Sequence, residues 1–315
     1  MTRESHKLFD LHVPLVGTSY ERLFEAETDC LTANEILVRG RMRDHRFDFA
    51  HEWIVRTPDY EILDAKARHL TGDPERFDPE LCEAYRGIKG IRIGRGFSSR
   101  VMHTLGHAHG NREHLLLAIE MARAGQQIYQ IPPELDRRVR AALGPSAGLP
   151  QISWTKDREY MSDLIDSCYT YRDESAALFT EREVRCGFDP EITGPKPGDK
   201  RVFWRHKRLT ISTETDPEAG AEYRCENHMQ DRVHDIKIGF EILPDGTIIH
   251  AQSRGLRLPY HGICESPHLR TPGLNGLRVT SAFVAQFAEH IGGASGCTHL
   301  FDLSIDCLRL FKFHQ

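Results

Sequence analysis

The chain has 315 residues, of which 39% are hydrophobic and 28% charged, with a formal charge of −5 and a mean hydropathy of −0.48. That composition excludes a disordered or fibrous chain, and no run reaches the ~20 apolar residues of a membrane helix. The mild acidity has no basic stripe against it, which argues against nucleic acid, and the opening MTRESHKLFDLHVPLVG lacks an apolar signal core, so a cytoplasmic location is expected.

In chain order, Phe47, Phe49, His51, Trp53 and Val55 alternate and predict a strand with those side chains inward, followed by a turn at Pro58-Asp59 and a returning strand over 61–68. A loop with Cys82 precedes a helix that carries Phe97, Val101 and Leu105 on one side. A glycine-rich break, Gly106 to Gly110, leads to a further helix. Residues 142–155 read as a linker, and the spacing of Met161, Leu164, Ile165, Cys168, Arg172, Ser175 and Phe179 predicts a helix over 161–179. Residues 187–200 read as a second linker, and 201–214 as one or two strands.

A second alternating strand follows, with His234, Ile236, Ile238, Phe240 and Ile242 on one face and Asp235, Lys237 and Glu241 on the other. Pro244-Asp-Gly246 is the turn, 247–253 the returning strand, and Cys264 lies in the loop beyond. The next helix presents Phe283, Phe287, Ala288 and Ile291, and the last presents Leu300, Leu303, Cys307 and Leu310.

The two passages resemble each other. Met42-Arg-Asp-His-Arg-Phe-Asp48 aligns with Met229-Gln-Asp-Arg-Val-His-Asp235 at an offset of 187. Pro58-Asp59, Ala65, Arg68, Leu70, Gly90 and Phe97 match Pro244-Asp245, Ala251, Arg254, Leu256, Gly276 and Phe283 at 186. So steady an offset over about 70 positions points to an internal duplication. The expected fold is α+β, a tandem duplication of an antiparallel sheet plus helices with pseudo-twofold symmetry. Residues 30–140 form the first repeat, 141–200 a linker with a bridging helix, and 201–315 the second repeat.

Several residues can carry chemistry. His45, His51, His234 and His299 are the histidines that the repeat pattern does not relegate to the surface, and Asp48 and Asp235 correspond in the two repeats. Cys297 stands at a predicted helix start, where the helix dipole lowers a thiol's pKa. His103, His107 and His109 read as a hydrophilic loop. Tyr169 with Arg172 can bind a hydroxylated compound, and Arg68, Arg254 and Tyr260 are candidate substrate contacts. The eight cysteines show no CxxC pair and are expected to be reduced. No GxxxxGK[ST], GxGxxG, GxSxG or HExxH occurs, which leaves phosphate, hydride and zinc-protease chemistry without a motif.

Gly296-Cys-Thr-His-Leu-Phe-Asp-Leu303 resembles the closing motif of a bacterial family of unknown function, and Asp231-Arg-Val-His-Asp235 and Leu258-Pro-Tyr-His-Gly-Ile-Cys264 fit that family too. The resemblance spans roughly 200–310. The order of hairpin, acidic-Gly turn, cysteine loop, helix and cysteine before a Leu-rich helix is also similar to the NifU-like iron–sulphur scaffold fold. That likeness implies a metal site, with zinc or iron as candidates, at His234 or Asp235, Cys264 and Cys297, with His299 nearby. The first repeat has Cys82 but Asn111 in place of Cys297, so only the second repeat fits.

The functional expectation is a small-molecule enzyme without an organic cofactor. Proton abstraction coupled to carbon–carbon or carbon–oxygen cleavage suits the many acid–base groups, which makes a lyase on a hydroxylated aromatic substrate the leading reading. His234 or His45 is the expected base, oriented by Asp235 or Asp48, with Tyr169 and Arg254 binding substrate in a pocket between the repeats. A metal- or cluster-carrying protein using Cys264, Cys297 and His234 is the alternative. A small molecule is the expected partner, and a homo-oligomer is compatible with the sequence.

Overall fold

The computed structural model describes residues 9–72, 80–108, 110–128, 131–189, 194–216 and 220–313. The chain begins with strands β1 (Phe9–Leu11), β2 (Ser19–Thr32), β3 (Glu35–Asp44), β4 (Phe47–Arg56) and β5 (Glu61–Gly72). Helices α1 (Leu81–Ala84), α2 (Phe97–Leu105), α3 (Asn111–Gln126), α4 (Pro133–Leu143), α5 (Leu149–Tyr160) and α6 (Leu178–Glu181) follow. Then come β6 (Arg185–Cys186), β7 (Phe203–Asp216), β8 (Gly220–Asp231), β9 (Asp235–Ile242), β10 (Ile248–Arg257) and β11 (Tyr260–His261). Helices α7 (Phe283–Ile291) and α8 (Thr298–Leu308) and strand β12 (Phe311–Phe313) close the chain. The fold is α+β with antiparallel sheets, as the sequence predicts.

Two compact units share the chain. The first is Arg22–Gln130 with Thr193–Lys207; the second is Met1–Glu21, Ile131–Ile192 and Arg208–Gln315. Most of the stretch expected to bridge the repeats therefore belongs to the second unit.

In the first unit β2, β3, β4 and β5 are neighbours in that order. Phe47, Phe49, His51, Trp53 and Val55 all point into the core, where they meet Phe97, Val101 and Leu105 of α2 and Leu117 and Met121 of α3. The opposite face is polar: Arg39 reaches Glu27 and Asp29, and Arg41 reaches Asp48. In the second unit β7, β8, β9 and β10 are neighbours in order. Ile236, Ile238, Phe240 and Ile242 pack with Phe283, Phe287 and Ile291 of α7 and Leu300, Leu303 and Cys307 of α8. Period-two strands and period-3.6 helices thus bury the side chains their patterns nominate.

The same local bonds recur 186 residues apart. Ile62 N donates to Ile91 O at 3.0 Å and Ile248 N to Leu277 O at 2.9 Å; Gly90 N donates to Ile62 O and Gly276 N to Ile248 O, both at 2.8 Å. Gly90 and Gly276 have φ of 85° and 84°, a left-handed conformation that glycine adopts without a Cβ clash. Helices α2 and α7 begin and end 186 residues apart.

Two sequence expectations fail. Residues 161–179 form no single helix; short 3-10 turns at Ser162–Leu164, Tyr169–Tyr171 and Asp173–Ala176 precede α6. Asp166 has φ 58° and Cys168 is extended, which breaks any helix there. Conversely, much of the expected linker at 142–155 is helical, because Pro150 lies in the first turn of α5, where its missing N–H is not needed. No helix among the described residues is long and apolar enough to cross a membrane, and all eight cysteines are free.

Candidate functional site

The site grows from the turn between β8 and β9. The Asp231 carboxylate accepts the backbone N–H of Val233 at 2.7 Å and of His234 at 2.6 Å, and Asp231 N donates to His234 O at 2.8 Å. An aspartate that accepts from the backbone two and three residues ahead closes a tight turn without help from other elements. The first unit uses the same device: Asp44 accepts from Arg46 N at 2.7 Å and Phe47 N at 3.2 Å. What differs is the ring that follows. Phe47 and His234 occupy equivalent, buried positions, so this turn needs an inward ring but not an imidazole.

His234 Nδ1 lies 3.1 and 3.2 Å from the two carboxylate oxygens of Asp231, which is fully buried. A carboxylate at Nδ1 keeps the proton there and leaves the Nε2 lone pair as the basic atom. Arg257 donates through Nη2 to the carbonyls of Asp231 and His234, fixing the turn from behind. Against the imidazole lies the His299 ring, 4.2 Å between centroids at 45°.

His299 is in the first turn of α8, and the residues before it are held by the 3-10 turn at Tyr169–Tyr171. Tyr169 N donates to Gly296 O at 2.8 Å, and Thr298 Oγ1 donates to Ser167 O at 2.7 Å. Thr170 Oγ1 lies 3.1 Å from Cys264 Sγ, and the Arg172 guanidinium stands 4.0 Å from the centre of the Tyr169 ring. Tyr169, His234, Cys264, Cys297 and His299, each nominated by the sequence, therefore gather around the start of α8 in the second unit.

The thiols there are not activated. Burial, reinforced by the neighbouring Cys168, pushes Cys297 up to about 12, against the opposing N–H groups of Leu300 and His299. Burial likewise pushes Cys264 well above the usual thiol value. The expected lowering at a helix N-terminus is reversed because loss of water costs the thiolate more than a few amide dipoles return. Among the described residues no group of three or more His, Cys, Asp or Glu side chains is placed to hold a metal ion. Zinc or iron at Cys264, Cys297 and His234 thus finds no assembled donor set there.

The other nominated residues lie elsewhere. Asp235 faces away from His234, on the outer side of β9, and accepts from His228 Nε2 at 2.8 Å and Gln230 Nε2 at 2.9 Å. Burial works against its charge, but the Gln230 and His228 bonds hold its carboxyl below the ordinary range. Asp48 accepts from Arg41 Nε at 2.8 Å and is paired with that guanidinium, so it does not orient His45, which is exposed in the β3–β4 turn. Arg68 on β5 and Arg254 on β10 are exposed. His103 lies in α2 and His107 in an exposed turn rather than one loop, and His109 lies outside the described residues.

Tyr260, expected to contact substrate, is fully buried and donates to Asp157 Oδ2 at 2.8 Å, the same oxygen that accepts from Tyr171 at 2.8 Å. Its role is structural. Tyr260→Phe is expected to lower the stability of the second unit by about 1.5–3 kcal/mol, the worth of a hydrogen bond to a charged acceptor. Urea unfolding of the two proteins measures this, and equal midpoints would show that Asp157 does not depend on that phenol.

Sequence reasoning missed Asp231 and Arg257. The signal for Asp231 was present, since it aligns with Asp44 in the repeated segment. Also missed are His69 and His114, which join His51 in the first unit.

No curated protein matches the chain. Residues 209–309, about a third of its length, match the family described as "Protein of unknown function (DUF2889)". That span contains Asp231, His234, Arg257, Cys264, Cys297 and His299, and over it the chain is similar to an uncharacterised family.

Proposed function

We propose that the protein is a small-molecule enzyme that uses general acid–base catalysis without an organic cofactor, acting as a lyase on a hydroxylated, most simply aromatic, substrate. The observation that carries this reading is the substitution of an imidazole for Phe47's apolar ring at an otherwise equivalent turn, with Asp231 at Nδ1 and Nε2 left basic. His234 Nε2 removes a proton from carbon, the C–H electron pair forms the new double bond, and the departing oxygen or carbon group takes a proton from His299. Tyr169, its ring faced by Arg172, binds the substrate hydroxyl. The recurrent bonds at an offset of 186 support descent of the two units from one ancestral unit, of which the second acquired this chemistry.

The test is to incubate the protein in D2O with a panel of hydroxylated aromatic and aliphatic acids and to follow C–H exchange and new unsaturation by NMR. His234→Ala is expected to lower the rate on any responding compound by about 10²–10⁴-fold, the usual contribution of a general base. A compound turned over equally by both proteins would contradict the assignment.

A further inference from the structure

The first unit holds a cluster that the proposed chemistry does not use. His51 on β4 and His114 on α3 are 2% and 0% exposed, and His51 Nε2 lies 2.9 Å from His114 Nδ1. His114 Nε2 lies 3.2 Å from Nε2 of His69 on β5, a residue exposed overall but with its ring partly covered at this contact. Tyr85 lies 3.9 Å from His51 between ring centres, and Phe49 stacks on His114 at 4.4 Å. The Tyr85 phenol, which accepts the Trp53 indole N–H, lies against His51 and His114, and the Cys82 thiol lies near the His69 backbone.

The fold does not require imidazoles at these places. His51 pairs with Gly40 and Ala67, and in the second unit Ile238 pairs with Asn227 and Ser253 at the same points of its ladder. Leu300 of α8 stands where α3 has His114. Ile238 and Leu300 are 1% and 0% exposed, so hydrocarbon fills both positions.

We propose that the first unit contains an acid-sensitive device: His51, His114 and His69, bonded in a row, hold α3 on the sheet while neutral and release it when they take up protons. Three neutral rings satisfy two bonds in sequence, His51 Nε2–H to His114 Nδ1 and His114 Nε2–H to His69 Nε2. Two nitrogens lie outside the row, His69 Nδ1 with its proton and His51 Nδ1 as a bare lone pair, and the latter is buried with no hydrogen-bond partner. One added proton makes His114 a donor on both sides, so His51 must turn its lone pair to Nε2 and bury an N–H with no acceptor. A second sets two N–H groups against each other.

The direction of the pH response follows. Burial and then the neighbouring imidazoles hold His51 well below the ordinary value, burial and then His69 put His114 at about 3, and burial lowers His69. All three folded values lie below the unfolded one, so stability is complete above about pH 6.5 and falls as the pH drops below it. Each ring kept neutral costs about tenfold in the folding equilibrium per pH unit, so the two buried rings cost about a hundredfold.

Hydrogen exchange of the α3 amides in the full chain, corrected for intrinsic rates, reads this between pH 7 and 4.5. Protection over 117–121 is expected to fall by about a hundredfold per pH unit below 6.5. His51→Ile with His114→Leu should abolish that fall while α3 stays protected at pH 7. Constant protection in the unaltered protein, or the same fall in the double variant, overturns the proposal. Should the double variant not fold, an imidazole NMR titration of the unaltered protein decides: both buried rings staying neutral until α3 opens supports it, and their titration near 6.5 with α3 closed overturns it.

Discussion

Asp231→Ala is expected to unfold the β8–β9 turn and abolish activity together. The substitution orphans two backbone N–H groups and the imidazole Nδ1–H, those of His234 buried and that of Val233 partly so. A loss of about 3–5 kcal/mol is expected, since each buried donor left without an acceptor costs about 1–3 kcal/mol and part of the turn relaxes. Asp231→Asn separates the two roles. Its amide oxygen still accepts from Val233 and His234, so the hairpin persists, but its NH2 now faces the imidazole. The retained oxygen also lies 3.1 Å from Nδ1 and can still accept its proton, but the carboxylate charge that favours that proton is gone, so the base is weakened at little cost in stability. Urea unfolding with turnover on the responding compound distinguishes these outcomes. An Asp231→Asn protein as active as the unaltered one would show that the carboxylate charge does not matter.

Glu120→Gln is expected to damage the first unit severely despite being isosteric. Glu120 is 7% exposed on α3 and accepts from Lys207 Nζ at 3.0 Å and Arg123 Nη1 at 2.8 Å, with the buried Arg205 also near. Burial opposes its charge, but the cations of Lys207, Arg123 and Arg205 prevail and bring its carboxyl down to about 2. The amide removes the carboxylate charge that Lys207, Arg123 and Arg205 share, a loss of about 2–4 kcal/mol. Because the folded value is depressed, this stabilisation is complete above about pH 4.5 and disappears as the pH falls toward 2. That window lies below the one assigned to the imidazole row, so acid titrations of Glu120→Gln and of the His51/His114 variant lose different parts of the curve. A Glu120→Gln protein as stable as the unaltered one at pH 7 would contradict this account.

Strand faces were legible because their pattern has one meaning. Alternation over 47–55 and 234–242 names the buried side chains, and α7 and α8 follow in the same way. Residues 161–179 misled because apolar spacing near 3.6 also arises when consecutive 3-10 turns dock side chains onto one surface. Here the backbone is held from outside: Trp154 Nε1 donates to Thr170 O, and Ser175 Oγ to Tyr169 O. Neither bond leaves a local trace in sequence.

The site was half legible. His234 and His299 stood out as imidazoles on apolar faces, yet Asp235 looked like the natural partner of His234 through adjacency. Adjacent strand residues point to opposite faces, whereas a turn folds the residue three back onto the ring, which makes Asp231 the partner. Cys297 misled in another way, since a helix start is visible in sequence but the burial that reverses its effect is not.

The central claim is that Asp231 holds His234 as a base with Nε2 free, and the 15N chemical shifts of the His234 imidazole test it most directly. In the neutral ring the account predicts a protonated Nδ1 and an unprotonated Nε2, with that preference weakened in Asp231→Asn. A proton on Nε2 in the unaltered protein would contradict it.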